Sequence, residues 1–577
     1  MGEEKKHKLK IIKYLPELLA LILCLLVLGG FVLCKEGYHM DELLSFELAN
    51  AEFTPWIVPT QPVGRLEKFV VNEIRGGSAA ETWKNIAETI KDVIANRGSS
   101  KMLSYTADVY DEPVWIDRQQ FIDYITVGEE DDFNYFSVYF NVKDDNHPPL
   151  HFMLLHTVSS IFKGSITPVM GCSVNLAAAA GILVLIMKLG EIYARAFAID
   201  ECREFKLTAA LFYGLSAGAV ATVLLIRMYA LVTFFCIAYF YIHVKKWYEG
   251  DFGSHNKLLV MVTVLGFLTQ YFFLFYCFAL ALVTMILILR SKRYRDLFVY
   301  IRTMLISAAV GLIAFPFAVS DVFSSGRGVE ALGNLAQGIS GYGERLAEFA
   351  EIVIESCGGY RVGVLFAVAV ILSVAGLLFI RDCVDKKSSA LLWMLFVPPV
   401  VYFFLAARMA PYRVDRYMMP IFPFVLFSLI LIIFLICRHA KRCGTAVAVL
   451  LVLLQAMETC NYDGDYLYTG YSGQLEVAEE NADSACICVY AGVGYYENLV
   501  EFTDYEKTLL VTLDELNGRS DTESITELER VVVLVKYGVS VNDVENVMEE
   551  KYGFGRAELL YSTGELTSDT VMMFAKR

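Results

Sequence analysis

Apolar runs of about 17–25 residues recur along this chain, and they limit its possible folds more than any other feature. A helix of that length crosses the ~30 Å of hydrocarbon in a bilayer. Hydrophobic residues make up 56% of the 577 residues, and the mean hydropathy is +0.49. The first run, from Leu15 to Leu33, ends in Cys34-Lys35 without a signal-peptide cleavage pattern, so we interpret it as a retained anchor helix. The sequence therefore predicts a polytopic α-helical membrane protein.

The positive charge of the first segment predicts which way the chain enters the membrane. Lysines are concentrated in residues 1–13. Because basic loops stay in the cytoplasm, we expect the N-terminus inside and the first helix to run outward. Residues 35–164 then form a long first outer loop.

A His-Pro-Pro-Leu motif, residues 147–150, opens the next apolar segment, which runs to Phe162. If that segment crossed the membrane, four later basic loops would lie outside, against the positive-inside rule. The segment is also short and carries His151 and His156. We therefore interpret it as a juxtamembrane helix in the outer interface.

The remaining apolar runs complete a set of about eleven predicted transmembrane helices. After the first helix, these spans are residues 168–188, 207–225, 228–244, 257–271, 272–289, 303–320, 361–380, 389–406, 418–437 and 443–459. With this topology the C-terminus ends outside. The transmembrane domain is predicted to cover residues 1–460.

The tail, residues 461–577, has a different composition. From Cys460 onward there are 23 acidic and 8 basic residues, which accounts for the whole net charge of −15 and argues against a nucleic-acid partner. Short β-type runs alternate with a helical stretch from Val541 to Lys551. The sequence predicts a small α/β domain on the outer face, with strands at Ala485–Tyr490, Thr508–Thr512, Val531–Lys536 and Met572–Ala575.

Asp41-Glu42 is the first candidate for chemistry, because two acids directly follow the first helix. An acid beside hydrocarbon is costly unless it is used or solvated. Asp41 could act as a general base, with Glu42 orienting it or binding a cation. An ordinary solvated start of a loop is the alternative.

Asp145 and His147 form the second candidate. Pro148 and Pro149 suit the first turn of the following helix, whose N-terminal dipole favours anions. A phosphate or a catalytic water could bind there. A simple helix cap is the alternative.

Arginines near predicted outer helix ends form the third candidate. Arg227 and Tyr229 interrupt a long apolar stretch, and Arg413 and Arg416 precede the span that begins near residue 418. Such arginines either extend their charged ends to the surface or bind a phosphate bidentately. Because they oppose the positive-inside bias, an anionic ligand is the favoured interpretation.

The order of these motifs resembles the GT-C superfamily of membrane glycosyltransferases. The resemblance covers about residues 1–460 and rests on four motifs in order: Asp-Glu after the first helix, His-Pro-Pro-Leu, Arg-Met-Tyr at 227–229, and Arg-Tyr-Met-Met-Pro at 416–420. The most similar group is family 39, the protein O-mannosyltransferases and lipid A aminoarabinose transferases.

This resemblance implies inverting transfer of a sugar from a polyprenyl-phosphate carrier to an envelope glycan, lipid or protein at the outer face of the plasma membrane. It implies that Asp41 is the base or acceptor-binding acid, with Glu42 as its neighbour. His147 matches a lysine near the lipid phosphate, and Arg227 matches an arginine near the donor. The family's Pro-Asp pair after this arginine is replaced by Met228-Tyr229.

That departure leaves the second acid and the use of a metal open. Asp145 is the candidate second acid, and a divalent cation would be held by Asp41 and Asp145; no cofactor is certain. Two other functions stay open, an envelope-polymer ligase or polymerase and a non-catalytic transporter or flippase of lipid-linked sugars. Transporters tend to contain internal repeats, which this sequence lacks.

Overall fold

A computed structural model gives the fold of most of the chain. It describes residues 2–53, 56–61, 63–95, 101–128, 131–323, 326–336, 341–359, 385–437, 442–562 and 569–576. The chain forms two compact units. The helical unit is Met1–Lys35, Lys143–His151 and Gly171–Leu467, and the mixed unit is Glu36–Val142, Phe152–Met170 and Tyr468–Arg577.

Apolar helices dominate the helical unit. The helices are Gly2–Leu33, Pro168–Ala196, Cys202–Gly214, Ala217–Leu224, Tyr229–Glu249, Asn256–Phe267, Phe273–Arg290, Tyr294–Ala314, Ala318–Phe323, Gly326–Ala336, residues 342–359, Lys386–Met409, Phe422–Ile436 and Cys443–Thr459. Among the described residues, six helices are long and apolar enough to cross a membrane, or seven if one bent pair is a single span. The chain is an integral membrane protein.

The predicted polytopic architecture is confirmed, while the count of about eleven helices stays a prediction. The predicted span 207–225 is two helices, Cys202–Gly214 and Ala217–Leu224, bent by 54°. The break occurs because the Ser216 side chain caps the second helix, accepting a hydrogen bond from the N–H of Ala219 at 3.1 Å. The predicted span 361–380 lies outside the described residues.

The predicted juxtamembrane helix is Leu150–Ile161, which at 12 residues is too short to cross the hydrocarbon. Its later part belongs to the mixed unit, where Ser159 accepts a hydrogen bond from Asn50 at 3.1 Å. The ring of His156 also packs against that of Tyr135, with centroids 5.8 Å apart. This packing against the first outer loop supports the interfacial interpretation.

Helices of the mixed unit come from both the first outer loop and the tail. The loop contributes Met40–Asn50, Arg65–Phe69, a π-helix Val70–Ile74, Ala79–Ala95, Arg118–Ile125 and Tyr135–Asn141. The tail contributes Ser472–Glu480, the 3₁₀ turn Gly494–Asn498, Leu499–Phe502, Leu513–Gly518, Glu523–Thr526 and Val541–Glu550. The predicted boundary between residues 460 and 461 stays a prediction, but the loop and the tail pack as one unit.

The sheet of the mixed unit has six strands in the order β1-β3-β2-β4-β6-β5. They are β1 Trp115–Asp117, β2 Ala485–Val489, β3 Lys507–Val511, β4 Arg530–Val535, β5 Glu558–Ser562 and β6 Thr570–Ala575. Strand β2 runs parallel to β3 and β4, and β6 runs antiparallel to β4 and β5. The predicted small C-terminal α/β fold is therefore confirmed.

Strand β1 was not predicted, and it comes from the first outer loop. It pairs antiparallel with β3, with Ile116 opposite Thr508. Directly after it, the Arg118 guanidinium donates to the carbonyl oxygens of Tyr505, at 3.0 Å, and of Ala482 and Asp504. A loop segment thus completes the edge of the tail's sheet.

We expect Arg118→Ala to destabilise the mixed unit by about 2–4 kcal/mol, because three backbone carbonyls lose a charged donor. Arg530→Ala is the matched control, since Arg530 forms an exposed ion pair with Asp483 in the same sheet. Such exposed pairs contribute less than about 1 kcal/mol. Thermal unfolding and protease resistance of the tail in detergent would measure both. Equal effects of the two substitutions would contradict the role of Arg118.

Candidate functional site

The His-Pro-Pro segment of the helical unit places two predicted site residues side by side. His147 Nδ1 lies 2.9 Å from Asp145 Oδ2. The helix that follows begins at Leu150, whose N–H donates to the carbonyl of Leu268 at 2.9 Å. The prolines therefore lead into a first helical turn that is fixed to a neighbouring turn of the membrane part.

Arg227 reaches the same place from the gap between two helices. The helix Ala217–Leu224 ends just before it, and Asn175 Nδ2 binds the carbonyls of Val223 and Leu225 at 3.1 and 2.6 Å. The N–H of Arg227 donates to Leu225 at 2.7 Å, which closes the turn. The guanidinium Nη2 then lies 3.4 Å from His147 Nδ1.

The short contact with Asp145 decides the roles of the His147 ring. A proton on Nδ1 lets it donate to the carboxylate, since an unprotonated Nδ1 would face another acceptor. Arg227 then acts as a neighbouring cation at 3.4 Å. Arg227 is 6% exposed and Asp145 is 9% exposed, so water screens these charges little.

The charges in this cluster affect the pKa of Asp145 more than its burial does. Burial would raise the pKa of Asp145, but the charge and hydrogen bond of His147 and the charge of Arg227 hold it below its ordinary value. The carboxylate is therefore ionised at neutral pH. It holds an imidazole and a guanidinium in fixed positions, where they could receive an anion.

His151 lies one turn further along the same helix and is fully buried. Burial, then the charges of Arg227 and His147, lower the pKa of His151 to about 3. This histidine is therefore neutral at physiological pH. His151 therefore adds no positive charge beside Arg227 and His147.

The other predicted donor-site residues belong to an aromatic cluster. The rings of Tyr229 and Tyr417 meet edge to face, with centroids 6.2 Å apart, and Phe272 packs on Tyr417 at 5.3 Å. The Arg416 guanidinium lies 5.7 Å from the centre of the Tyr417 ring. Tyr229 follows Arg227 by two residues, so backbone links this cluster to the cationic one.

Arg413 is placed differently from Arg227. Its guanidinium forms an ion pair with Glu348, and its side chain is 48% exposed. Binding a donor phosphate at Arg413 would require this pair to open. The structure thus brings together Asp145, His147 and Arg227, and it gives Arg413 a carboxylate partner of its own.

Asp41 and Glu42 lie in the mixed unit, in the first turn of the helix Met40–Asn50. Glu42 is fully buried, and its Oε2 accepts the N–H of His39 at 2.7 Å. The N–H of Asp41 donates to His39 Nδ1 at 3.0 Å, which completes a reciprocal cap. The Asp41 side chain keeps 21% exposure, so the cap buries the neighbour and leaves Asp41 accessible.

Sequence reasoning missed Tyr271 and Asp321 in the helical unit. The Tyr271 hydroxyl donates to Asp321 Oδ2 at 2.6 Å, and Asp321 is 4% exposed. The signal in the sequence is a lone acid just after an apolar helix, which is too common to be selective.

A metal site finds little support in the described part of the chain. It contains no group of three or more His, Cys, Asp and Glu side chains that could hold an ion. Asp145 faces an imidazole and a guanidinium, whose donors compete with a cation.

Solved structures of two proteins are similar in fold. ArnT from Cupriavidus metallidurans bound to undecaprenyl phosphate has a TM-score of 0.46 at 11% identity, over 74% of this chain and 88% of that one. Its apo state has a TM-score of 0.41 at 11% identity, over 74% and 87%. An Archaeoglobus fulgidus oligosaccharyltransferase tethered with an acceptor peptide has a TM-score of 0.39 at 11% identity, over 98% of this chain and 74% of that one.

Both proteins are GT-C glycosyltransferases. At 11% identity and TM-scores of 0.39 to 0.46, the likeness concerns the fold alone and assigns no role to a residue. No protein-family model matches the sequence. The search of curated proteins found no match either.

We expect Arg227→Met to destabilise the helical unit by about 2–4 kcal/mol, because it leaves the buried Asp145–His147 pair without its cation. Arg195→Met is the control, since Arg195 pairs with Glu191 on an exposed helix face. That pair contributes less than about 1 kcal/mol. Thermal unfolding in detergent compares the two. A larger loss for Arg195→Met would show that the cluster is not a stabilising network.

Proposed function

We propose that this protein is a glycosyltransferase that moves a sugar from a polyprenyl-phosphate carrier to an acceptor at the outer face of the membrane. The observation that carries the proposal is the buried contact of Asp145, His147 and Arg227 between apolar helices. A cationic site there suits a lipid whose anionic head and apolar tail must be held together. The resemblance of the motifs to family 39 supports the same function.

In the proposed reaction, an acceptor hydroxyl oxygen attacks the anomeric carbon of the sugar. The bond between that carbon and the phosphate oxygen breaks, and polyprenyl phosphate leaves with an additional negative charge. Asp41 takes the proton of the hydroxyl as general base. A single displacement of this kind inverts the configuration of the anomeric carbon.

The leaving phosphate needs positive charge that is already in place. Arg227 can bind two phosphate oxygens at once, and the doubly protonated form of His147 can donate a further hydrogen bond from Nε2 while Nδ1 stays on Asp145. Asp145 positions both groups, which agrees with its lowered pKa. Tyr229 and Arg416 are proposed to line the approach of the donor, and Arg413 stays a further candidate once it leaves Glu348.

Glu42 has a supporting part in this proposal. Its carboxylate caps the helix through the N–H of His39. It therefore fixes the first turn that presents Asp41 and need not take part in proton transfer. The divalent cation considered for Asp41 and Asp145 is not needed for this chemistry.

We expect Asp41→Asn to lower kcat for sugar transfer by about 100-fold or more, because an amide cannot accept the proton. The measurement uses membrane vesicles containing the full chain and radiolabelled polyprenyl-phosphate hexoses and pentoses. Asp123→Asn, on an exposed face of the helix Arg118–Ile125, is the control and should leave transfer unchanged. Full transfer by the Asp41 variant would remove it as base. Movement of the lipid without transfer by the wild type would indicate a flippase.

Arg227→Lys should raise the KM for the donor about tenfold, since lysine cannot bind phosphate oxygens bidentately. Its effect on kcat should be smaller if the phosphate is mainly bound in the ground state. Arg195→Lys serves as the matched exposed substitution. An unchanged donor KM would place the phosphate elsewhere.

A further inference from the structure

The backbone carbonyl of Ile57, in the first outer loop, is held by two side chains of the tail. It accepts the hydroxyl of Tyr495 at 2.9 Å and that of Tyr496 at 3.3 Å. Ile57 is 1% exposed, and the two tyrosine rings stack with centroids 4.5 Å apart. Because these hydroxyls are buried, the bonds are shielded from water.

Glu47 lies beside the other backbone polar group of Ile57, its N–H. It belongs to the helix Met40–Asn50, is fully buried, and has its carboxyl beside the N–H of Ile57. Neither carboxyl oxygen has a hydrogen-bond partner of standard geometry within the described residues. Burial raises the pKa of Glu47 well above its ordinary value, and the Ile57 N–H offsets only part of this effect. Burial therefore favours the neutral form of Glu47 over the charged form.

The backbone of Ile57 thus lies between two parts of the mixed unit. Its carbonyl is bound by the turn Gly494–Asn498 of the tail, and this turn packs directly against the helix that carries Asp41. We call Ile57, Glu47, Tyr495 and Tyr496 the Ile57 clamp. The clamp joins residues that are more than 400 positions apart in the chain.

The helix that carries Asp41 is held along its later turns as well as by its cap. Glu47 follows Asp41 by six residues, about 9 Å along the helix axis. At the end of the helix, Asn50 Nδ2 donates to the carbonyl of Ile125 at 2.8 Å and to Ser159 Oγ at 3.1 Å. The direction of Asp41 therefore depends on these later residues in addition to the cap.

The turn Gly494–Asn498, which supplies the tyrosines, follows the carboxyl end of strand β2. Strands β2 and β4 are parallel neighbours, and their connections lead to opposite sides, toward β3 and toward β5 and β6. In open α/β sheets, ligands bind beyond the carboxyl ends of such a strand pair. Here the segment after β2 binds the chain's own first outer loop.

We propose that the C-terminal domain is a positioning element of the transferase, which sets the direction of Asp41 through the Ile57 clamp. This inference rests on the proposed role of Asp41. Tyr495, Tyr496 and Glu47 are then positioning residues, since they act through the helix Met40–Asn50. The domain contributes to catalysis without touching the donor.

The test uses the full chain in lipid nanodiscs with the double substitution Tyr495→Phe and Tyr496→Phe. Losing two buried hydrogen bonds should increase amide hydrogen exchange in residues 40–50 about tenfold or more. It should lower kcat about fivefold to tenfold and change the donor KM less than about twofold. Tyr561→Phe is the control, because it removes an exposed hydroxyl bond to Gly470 in the same unit and should change neither value.

Glu47 gives a second, independent arm. Glu47→Ala should reproduce the loss in kcat, whereas Glu47→Gln keeps the shape of a neutral carboxyl group and should restore kcat to within about twofold of wild type. Unchanged exchange in the tyrosine double variant would overturn the clamp. Faster exchange with unchanged kcat would reduce the clamp to a structural contact and overturn the positioning role. If Asp41→Asn keeps full transfer, the proposed function fails, while the exchange measurement still decides on the clamp.

Discussion

Burial of the helix Met40–Asn50 is the constraint on which the mixed unit depends. Most of its residues are buried, and they include four polar ones, Glu42, Ser45, Glu47 and Asn50. A polar group without a partner in such surroundings costs several kcal/mol. Glu42 meets this demand with a helix cap, Ser45 with the carbonyl of Asp41 at 2.9 Å, and Asn50 with contacts to two other helices. For Glu47, burial favours the neutral form, which costs less to bury than a carboxylate.

The arginines of the sequence motifs differ in how deeply they are buried. Arg227 lies inside the protein beside a histidine that an ionised aspartate orients, so its charge acts through a low dielectric. Arg413 is half exposed and already paired with Glu348. A solvated pair of that kind screens its own charge, so its attraction for a lipid phosphate is weaker. The same residue type thus occurs in two different electrostatic environments.

Sequence reasoning predicted the features that depend on local pattern. The apolar helices and the four strands around Ala485, Thr508, Val531 and Met572 follow directly from periodicity and run length. The break at Gly214–Ala217 was missed because Ser216 is a weak local signal inside an apolar run. Strand β1 was missed because three residues carry no periodicity and their partner lies about 390 positions away. The pairing of Tyr271 with Asp321 was missed for the same reason of distance, and the role of Asp41 stays a prediction.

The pairing of β1 with β3 sets a rule for the topology of the whole chain. Because residues 115–117 and 507–511 exchange backbone hydrogen bonds in one sheet, both segments must lie in the same aqueous compartment. The polypeptide between them therefore crosses the bilayer an even number of times, whatever the boundaries of individual helices. The ten spans predicted after the first helix satisfy this parity, and a revised assignment has to add or remove spans in pairs.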